Sequence, residues 1–445
     1  MLKLVLTGIA GVISLSEKID AEKIAMEISR KLKHRGKPFI FKPKVKPNIK
    51  QAKDIFFIQF YTELEDLETI RKEGYCFVLD GKIFYPRDTL LRESQPELFR
   101  GYFAYATIDN KCMRVYRDRI GIKPLFYGFT KDLVVFASER KAIRKYASPR
   151  RLPPGHVLIV EDRDIKIKPF RVLVKPRPEV LSEEEAIEIL SRLIPKSTAM
   201  LTEDSVAVMF SGGLDSSTIA KAASQFSDVH LITVGLPDSR DIIWSKRAAR
   251  LLGLPIHVII IRPEDLENYV EKTICAIDDW DPLKVMIGLP LYVACEKIHE
   301  MGFKVAFTGQ GADELFGGYA KYLEMAPQEF LRQNFVDIVT LAEKNLERDE
   351  HIAAANGVDL RLPYLSDEII DFALRLPPEL KIRNGVRKYV LRKTAIRLGV
   401  PSEVAFAPKK AVQYSTGVAK FVKKIAKKKS QSLSAYFRNI YENLC

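Results

Sequence analysis

The stretch "VAVMFSGGLDSSTIAKAAS", residues 206–224, narrows the possible folds more than any other part of the chain. An apolar run from Val206 to Phe210 breaks at Ser211-Gly212-Gly213. It resumes as a helical pattern whose first turn holds Asp215, Ser216 and Ser217. Glycines let the backbone turn sharply and approach a ligand closely. The N–H groups at the start of the helix then face outward and favour an anion, phosphate above all. A Walker A loop requires GxxxxGK[ST], and the missing lysine excludes a P-loop NTPase. A plain strand-turn-helix corner accounts for the glycines but not for the three side-chain oxygens beside them.

The surrounding pattern agrees. From "LSEEEAIEILSRLI" onward, helical periodicity alternates with the short apolar runs "SVAVMF", "HLITVGL", "IHVIII" and "KVAFTG", as expected for βαβ units on a parallel sheet. Ligands of such sheets collect at the carboxyl ends of the strands. There the fourth run leads into Thr308-Gly309-Gln310-Gly311 and the acidic pair Asp313-Glu314. Carboxylates beside a phosphate loop repel a polyphosphate unless a divalent cation lies between them, so Asp215 and Asp313 are candidate Mg²⁺ ligands. Taken alone, Asp313 would read as a helix cap and Glu314 as a solvated charge.

Residues 1–170 have another style. Aromatic and β-branched runs such as "IFFIQFY", "YFAYATID" and "LVVFAS" are separated by turn residues, with one long helical pattern after Ser16. This reads as antiparallel sheet with a few helices, an α+β domain. The Pro-rich, charged stretch around 171–182 reads as a linker to a second domain over 183–445. A net charge of +14 favours polyanionic partners, although a lysine-rich surface explains it equally well. The "KKIAKKK" run near the C-terminus reads as a solvated helix face before it reads as a nucleic-acid site, because no aromatic platform interleaves with it. Five cysteines without CxxC spacing suggest neither a zinc site nor a disulfide framework. The opening apolar run is too short to cross a bilayer. With no small-residue cleavage site after it, the reading is a cytoplasmic protein, with no membrane contact, whose first strand starts at once.

"SGGLDSS" and "GADELFGGY", in this order and spacing, resemble asparagine synthetase, and the likeness runs on through "ERDEHIAAANGVDLRLPYL", "NGVRKYVLRKTA" and "APKKAVQYSTGV". The resemblance implies a parallel-sheet ATP pyrophosphatase domain (adenine nucleotide alpha hydrolase-like). It would bind ATP through Phe210, Ser211, Gly212, Gly213, Asp215, Ser216, Thr308 and Gly309, with Val234 at the adenine. It also implies Mg²⁺ on Asp215 and Asp313, Lys409 against the α-phosphate, Gln310 at the acceptor, and a possible homodimer. A fixed cation at the α-phosphate would stabilise charge gathering on phosphorus and on departing pyrophosphate.

The first half, through "TGIAGVI", "LKHRG" and "RVYRDRIGIKPLFYG", resembles the class II glutamine amidotransferase domain, an Ntn-type αββα sandwich. That family uses an N-terminal cysteine whose free amine acts as base. Here the position is Thr7, behind six residues, with an amide nitrogen. The family's oxyanion asparagine corresponds to Asp80, and an ionised carboxylate repels a developing oxyanion. After Tyr85 no acidic residue clearly matches the one that holds glutamine's amine. Thr7 therefore reads as a strand residue in a domain without glutaminase activity, and ammonia or another amine must arrive free or from a partner protein.

The leading expectation is an ATP-dependent amide ligase that adenylates a carboxylate, aspartate or an analogue, and transfers ammonia or an amine with release of AMP and pyrophosphate. Gln310 stands where the family usually carries a glutamate, and an amide cannot act as a base, which leaves the acceptor open. Two alternatives remain: an adenylating enzyme of the same fold acting on tRNA or another polyanion-linked group, and a non-catalytic ATP-binding regulatory protein.

Overall fold

The computed structural model describes residues 5–43, 52–63, 71–72, 75–85, 98–109, 111–161, 164–237, 239–408 and 417–445. These fall into two units, Met1–Val174 and Lys175–Cys445.

In the first unit two six-stranded sheets form, with antiparallel pairing. Ile9, Ile13, Phe57 and Phe136 of one sheet share a core with Val78, Ala104, Val115 and Leu158 of the other. The outer face of the first sheet buries Ala10, Val12, Ile58 and Val135 against Ala21, Ala25 and Ile28 of helix Ala21–Lys31. Asp20 caps that helix by accepting from Lys23 N at 2.9 Å, which satisfies one of its open N–H groups. The other outer face carries an aromatic cluster of Phe77, Phe99, Phe103, Tyr105 and Tyr116.

In the second unit a five-stranded, all-parallel sheet runs in the order 256–260, 228–235, 205–209, 305–307, 359–361. Val206, Ala207, Val208, Leu231, Ile232 and Phe307 are buried. Near-continuous apolar strands are what a parallel sheet covered on both faces requires. The fifth strand, Asp359–Arg361, was not evident as a strand in the sequence. It is short, and two of its three residues are charged, Arg361 being neutralised by Asp359 at 2.7 Å and Glu203 at 2.8 Å. Strand order reverses direction between 205–209 and 305–307, and the crevice at such a switch point is where open α/β sheets bind ligands.

One expectation is overturned. Cys275, in helix Leu266–Ile277, is bonded to Cys445. Cysteine spacing could not reveal this, because the partners are 170 residues apart and meet only when helix Leu433–Leu444 packs on helix Leu266–Ile277. Helix Leu433–Leu444 also brings the Tyr441 ring within 4.7 Å of Trp280, with the two planes tilted by 46°. Among the described residues no helix is long and apolar enough to cross a membrane.

Candidate active site

The two glycine-bearing loops singled out in the sequence meet at the switch point. Helix Leu214–Ala223 starts after Gly213. Its first turn faces Thr308–Gln310, which follow strand Val305–Phe307. Gly309 is needed there: a Cβ on it would lie 2.6 Å from Asp215 Cβ and 3.1 Å from Ser216 N. The loop at 211–216 is ordered by its own hydroxyls. Ser216 Oγ accepts from Ser211 N at 3.3 Å and lies 3.4 Å from Ser211 Oγ. Ser211 Oγ accepts from Gly213 N at 3.4 Å. Phe210 is buried and its N–H donates to Ile232 O at 2.8 Å, which ties the loop to the neighbouring strand. Val234, near the end of that strand, is buried, and Gln310 is half-buried with its N–H on Thr308 Oγ1 at 3.3 Å.

Three contacts were not foreseen. Trp244 Nε1 donates to Gly212 O at 2.8 Å. The buried Tyr364 hydroxyl donates to Asp215 O at 3.2 Å. The third is the most consequential. Lys388 Nζ lies 2.7 Å from both oxygens of Asp215 and 2.8 Å from Asp313 Oδ1. The two proposed metal ligands thus converge on one cationic nitrogen. Burial works against the charge of Lys388, but Asp215 and Asp313 outweigh it and push its pKa above the usual lysine range.

Local sequence explains how Lys388 arrives. Strands Ile382–Arg383 and Val386–Arg387 pair antiparallel around Asn384 and Gly385, both at positive φ (49° and 74°). That is the pattern of a type I′ hairpin, which Asn-Gly favours. Arg387 donates to Gly318 O at 2.7 Å and docks the hairpin beside the acidic loop. Lys388 itself adopts φ 56°, a conformation side chains avoid unless surrounding contacts hold it.

The hard-oxygen pair suits Mg²⁺, and its spacing around a single point suits one ion. Among the described residues no third His, Cys, Asp or Glu completes a metal cluster, so further ligands would come from phosphate oxygens and water. Glu314, next to Asp313, is buried and points elsewhere: it accepts from the Tyr319 hydroxyl and from Asn345 Nδ2. Burial, with Asp313 adding, lifts its pKa; the Tyr319 hydrogen bond opposes this without reversing it. Lys409 lies outside the described residues.

In the first unit, Thr7 lies in strand Val5–Ser14, at a register irregularity opposite Tyr61 and Phe60. Its hydroxyl donates to Arg35 O, and its carbonyl accepts from Arg35 Nη1 at 2.8 Å. Asp80 is fully buried, 3.1 Å from Lys123 Nζ, 3.5 Å from Arg35 Nη1 and 3.3 Å from Ser138 Oγ. Arg35 also pairs with Glu139. Burial raises the pKa of Glu139, but Lys141, Arg35 and His34 outweigh it and hold the carboxyl well below the usual range. The buried Asp118 accepts from the N–H groups of Gly121, Ile122 and Lys123 at 2.7, 3.0 and 3.0 Å and so fixes the loop that presents Lys123.

The "KKIAKKK" run lies on helix Val418–Lys428, which buries Val418, Val422 and Ala426 and exposes its lysines.

Residues 192–335 and 325–441 match the asparagine synthase family, and residues 71–145 match a glutamine amidotransferase domain. A putative glutamine-hydrolysing asparagine synthetase of Methanocaldococcus jannaschii is 36% identical over 397 residues, covering 76% of this chain and 73% of that protein. The glutamine-hydrolysing asparagine synthetase of Asparagus officinalis is 27% identical over 442 residues, covering 87% of this chain and 73% of its own. Among solved structures, an NMN synthetase from Francisella tularensis overlaps 59% of this chain and 94% of its own, at a TM-score of 0.30 and 13% identity.

Proposed function

Because this chain belongs to the asparagine synthase family, we propose that it is an ATP-dependent carbon–nitrogen ligase that adenylates a small carboxylate, aspartate or an analogue, and transfers ammonia to it with release of AMP and pyrophosphate. One observation carries the reading: the phosphate-type loop at 211–216 and the carboxylate of Asp313 close on a single point at the sheet's switch point.

The helix start at 213–216 offers N–H groups to the polyphosphate. Ser211 and Ser216 keep that loop in shape, and Val234 forms part of the adenine floor. Asp215 and Asp313 would hold Mg²⁺, which supplies charge neutralisation for departing pyrophosphate. Lys409 faces the α-phosphate in this reading, and Gln310 donates or accepts a hydrogen bond at the acceptor without acting as a base.

The first unit serves as a scaffold without glutaminase activity. Two features support this. The Thr7 hydroxyl is taken up by a backbone carbonyl, and its nitrogen is an amide within a strand. Where an oxyanion donor would be needed, Asp80 presents an acceptor already clasped by two cations. Nitrogen then enters as ammonia, free or handed over by another protein.

The test is pyrophosphate release from ATP and Mg²⁺ with aspartate and a panel of other carboxylates, each with ammonium or with glutamine. The expected result is ammonium-dependent release, no response to glutamine, and a loss of about 100-fold or more in Asp313→Asn. Release with glutamine equal to that with ammonium would restore the glutaminase. Silence with every carboxylate would remove the ligase.

A further inference from the structure

Lys388 occupies the point where a divalent cation would be expected, and the chain goes to some length to put it there. A type I′ hairpin presents it, Arg387 anchors the hairpin on Gly318 O at 2.7 Å, and Lys388 accepts a left-handed backbone at φ 56° to open helix Tyr389–Arg397. Its side chain is 3% exposed, whereas those of Asp215 and Asp313 are 21% and 22% exposed. The ammonium is therefore covered and the carboxylates keep an open side.

We infer that Lys388 is a built-in counter-cation that holds the Asp215–Asp313 pair against free divalent ions, so that a metal ion enters together with the nucleotide and not before it. This rests on the ATP-and-Mg²⁺ reading above. The physical argument is charge balance. The two carboxylates and the ammonium together carry one negative charge. A divalent ion arriving alone must either displace a covered lysine, which then has no counter-charge, or sit beside it as a like charge; both are unfavourable in a partly buried site. A triphosphate brings enough negative charge to accommodate ammonium and metal at once. Arg392, whose charge also acts on Asp215, adds to the positive field that a lone metal ion meets. Metal and nucleotide should then bind with positive coupling, and by linkage the coupling is reciprocal.

A purely structural role for Lys388 predicts the opposite of this proposal when the charge is removed, which makes the two separable. Lys388→Met keeps the length of the side chain and deletes the ammonium. Mn²⁺ is titrated calorimetrically, and by the EPR signal of the unbound ion, into the full-length protein with and without α,β-methylene-ATP. The unmodified protein should bind Mn²⁺ at least about tenfold more weakly without the analogue than with it. Lys388→Met should tighten nucleotide-free Mn²⁺ binding by about tenfold or more and shrink the gain given by the analogue. Nucleotide-free affinity that is unchanged or lower in Lys388→Met overturns the proposal. If Lys388→Met does not fold, Lys388→Gln carries the same comparison. In the unmodified protein, Mn²⁺ bound as tightly without the analogue as with it overturns the proposal on its own. Failure of the analogue to bind at all sinks the ATP reading instead, while the nucleotide-free comparison still decides the part played by Lys388.

Discussion

Each unit has a cluster of buried charge where its chemistry is expected, and the two clusters are built inside out from one another. In the first unit a carboxylate is at the centre: Asp80, its side chain 0% exposed, lies between Lys123 and Arg35, themselves 5% and 0% exposed. In the second unit the cation is at the centre, and the carboxylates of Asp215 and Asp313 form a rim that is about one-fifth open. An ion pair buried on every side leaves a ligand no way in. A rim of carboxylates still meets whatever enters the crevice. The difference teaches that the residue types alone do not separate a site from a brace; the order of burial does.

The sharpest way to break the comparison is Asp80→Ala. If the first cluster is a brace, removing its central anion leaves Arg35 and Lys123 buried beside each other, a change that costs about 3–5 kcal/mol. Urea unfolding should show that loss, while ammonium-dependent pyrophosphate release, assayed well below the melting range, stays near its original rate. A cost below about 1 kcal/mol would mean that water or alternative anions reach the pocket and that it is not sealed.

Two lysines seven positions apart refine the same point. Lys388 is buried against two carboxylates and its pKa is pushed up. Lys381 is equally buried, donates to Asn334 Oδ1 at 2.8 Å, and is pulled down by burial from 10.5 to about 7. Below pH 7 both the folded and unfolded chains hold the Lys381 proton, so folding bears the full cost of burying the charge. Between about 7 and 10.5 the unfolded chain holds a proton that the folded chain lacks, and stability rises with pH. This group contributes at most about 1.4 kcal/mol per pH unit in that window. Thermal melts from pH 6 to 10 should show the rise, and Lys381→Met should flatten it. A slope that survives the substitution assigns the effect to another group.

Much of this was legible in the sequence because local pattern and local structure coincide. The run Val206–Phe210 into two glycines must turn from strand to helix, and it does so at Met209 and Leu214. Thr308–Asp313 announces a second loop by the same logic, and the two loops meet. The residue type at Asp80 fixes that it has no N–H to donate, but not that Lys123 and Arg35 close around it. What stayed hidden depends on long-range contact. Lys388 reaches Asp215 across 173 positions, and "NGVRKYV" gives away only the hairpin turn, through Asn384-Gly385, not what the next lysine touches. The Cys275–Cys445 bond, 170 positions apart, is hidden for the same reason.

Trp244 belongs with the hidden contacts and supplies the mildest test. It is on helix Arg240–Leu252, in "RDIIWSKRAARLL", where an aromatic residue reads as ordinary packing. Its indole N–H nevertheless donates to Gly212 O at 2.8 Å, from outside the 211–216 loop. A carbonyl fixed in this way fixes the peptide plane that also carries Gly213 N–H, which donates to Ser211 Oγ at 3.4 Å and which the proposed reading places at the polyphosphate. Trp244→Phe keeps an apolar ring over the loop and deletes one hydrogen bond, a loss of about 1 kcal/mol. If the loop is a binding element, that loss should appear as a roughly fivefold rise in KM for ATP with kcat little changed, because ground state and transition state lose the same contact. A fall in kcat at constant KM would place Trp244 in the chemical step, and no change in either would return it to the role of packing.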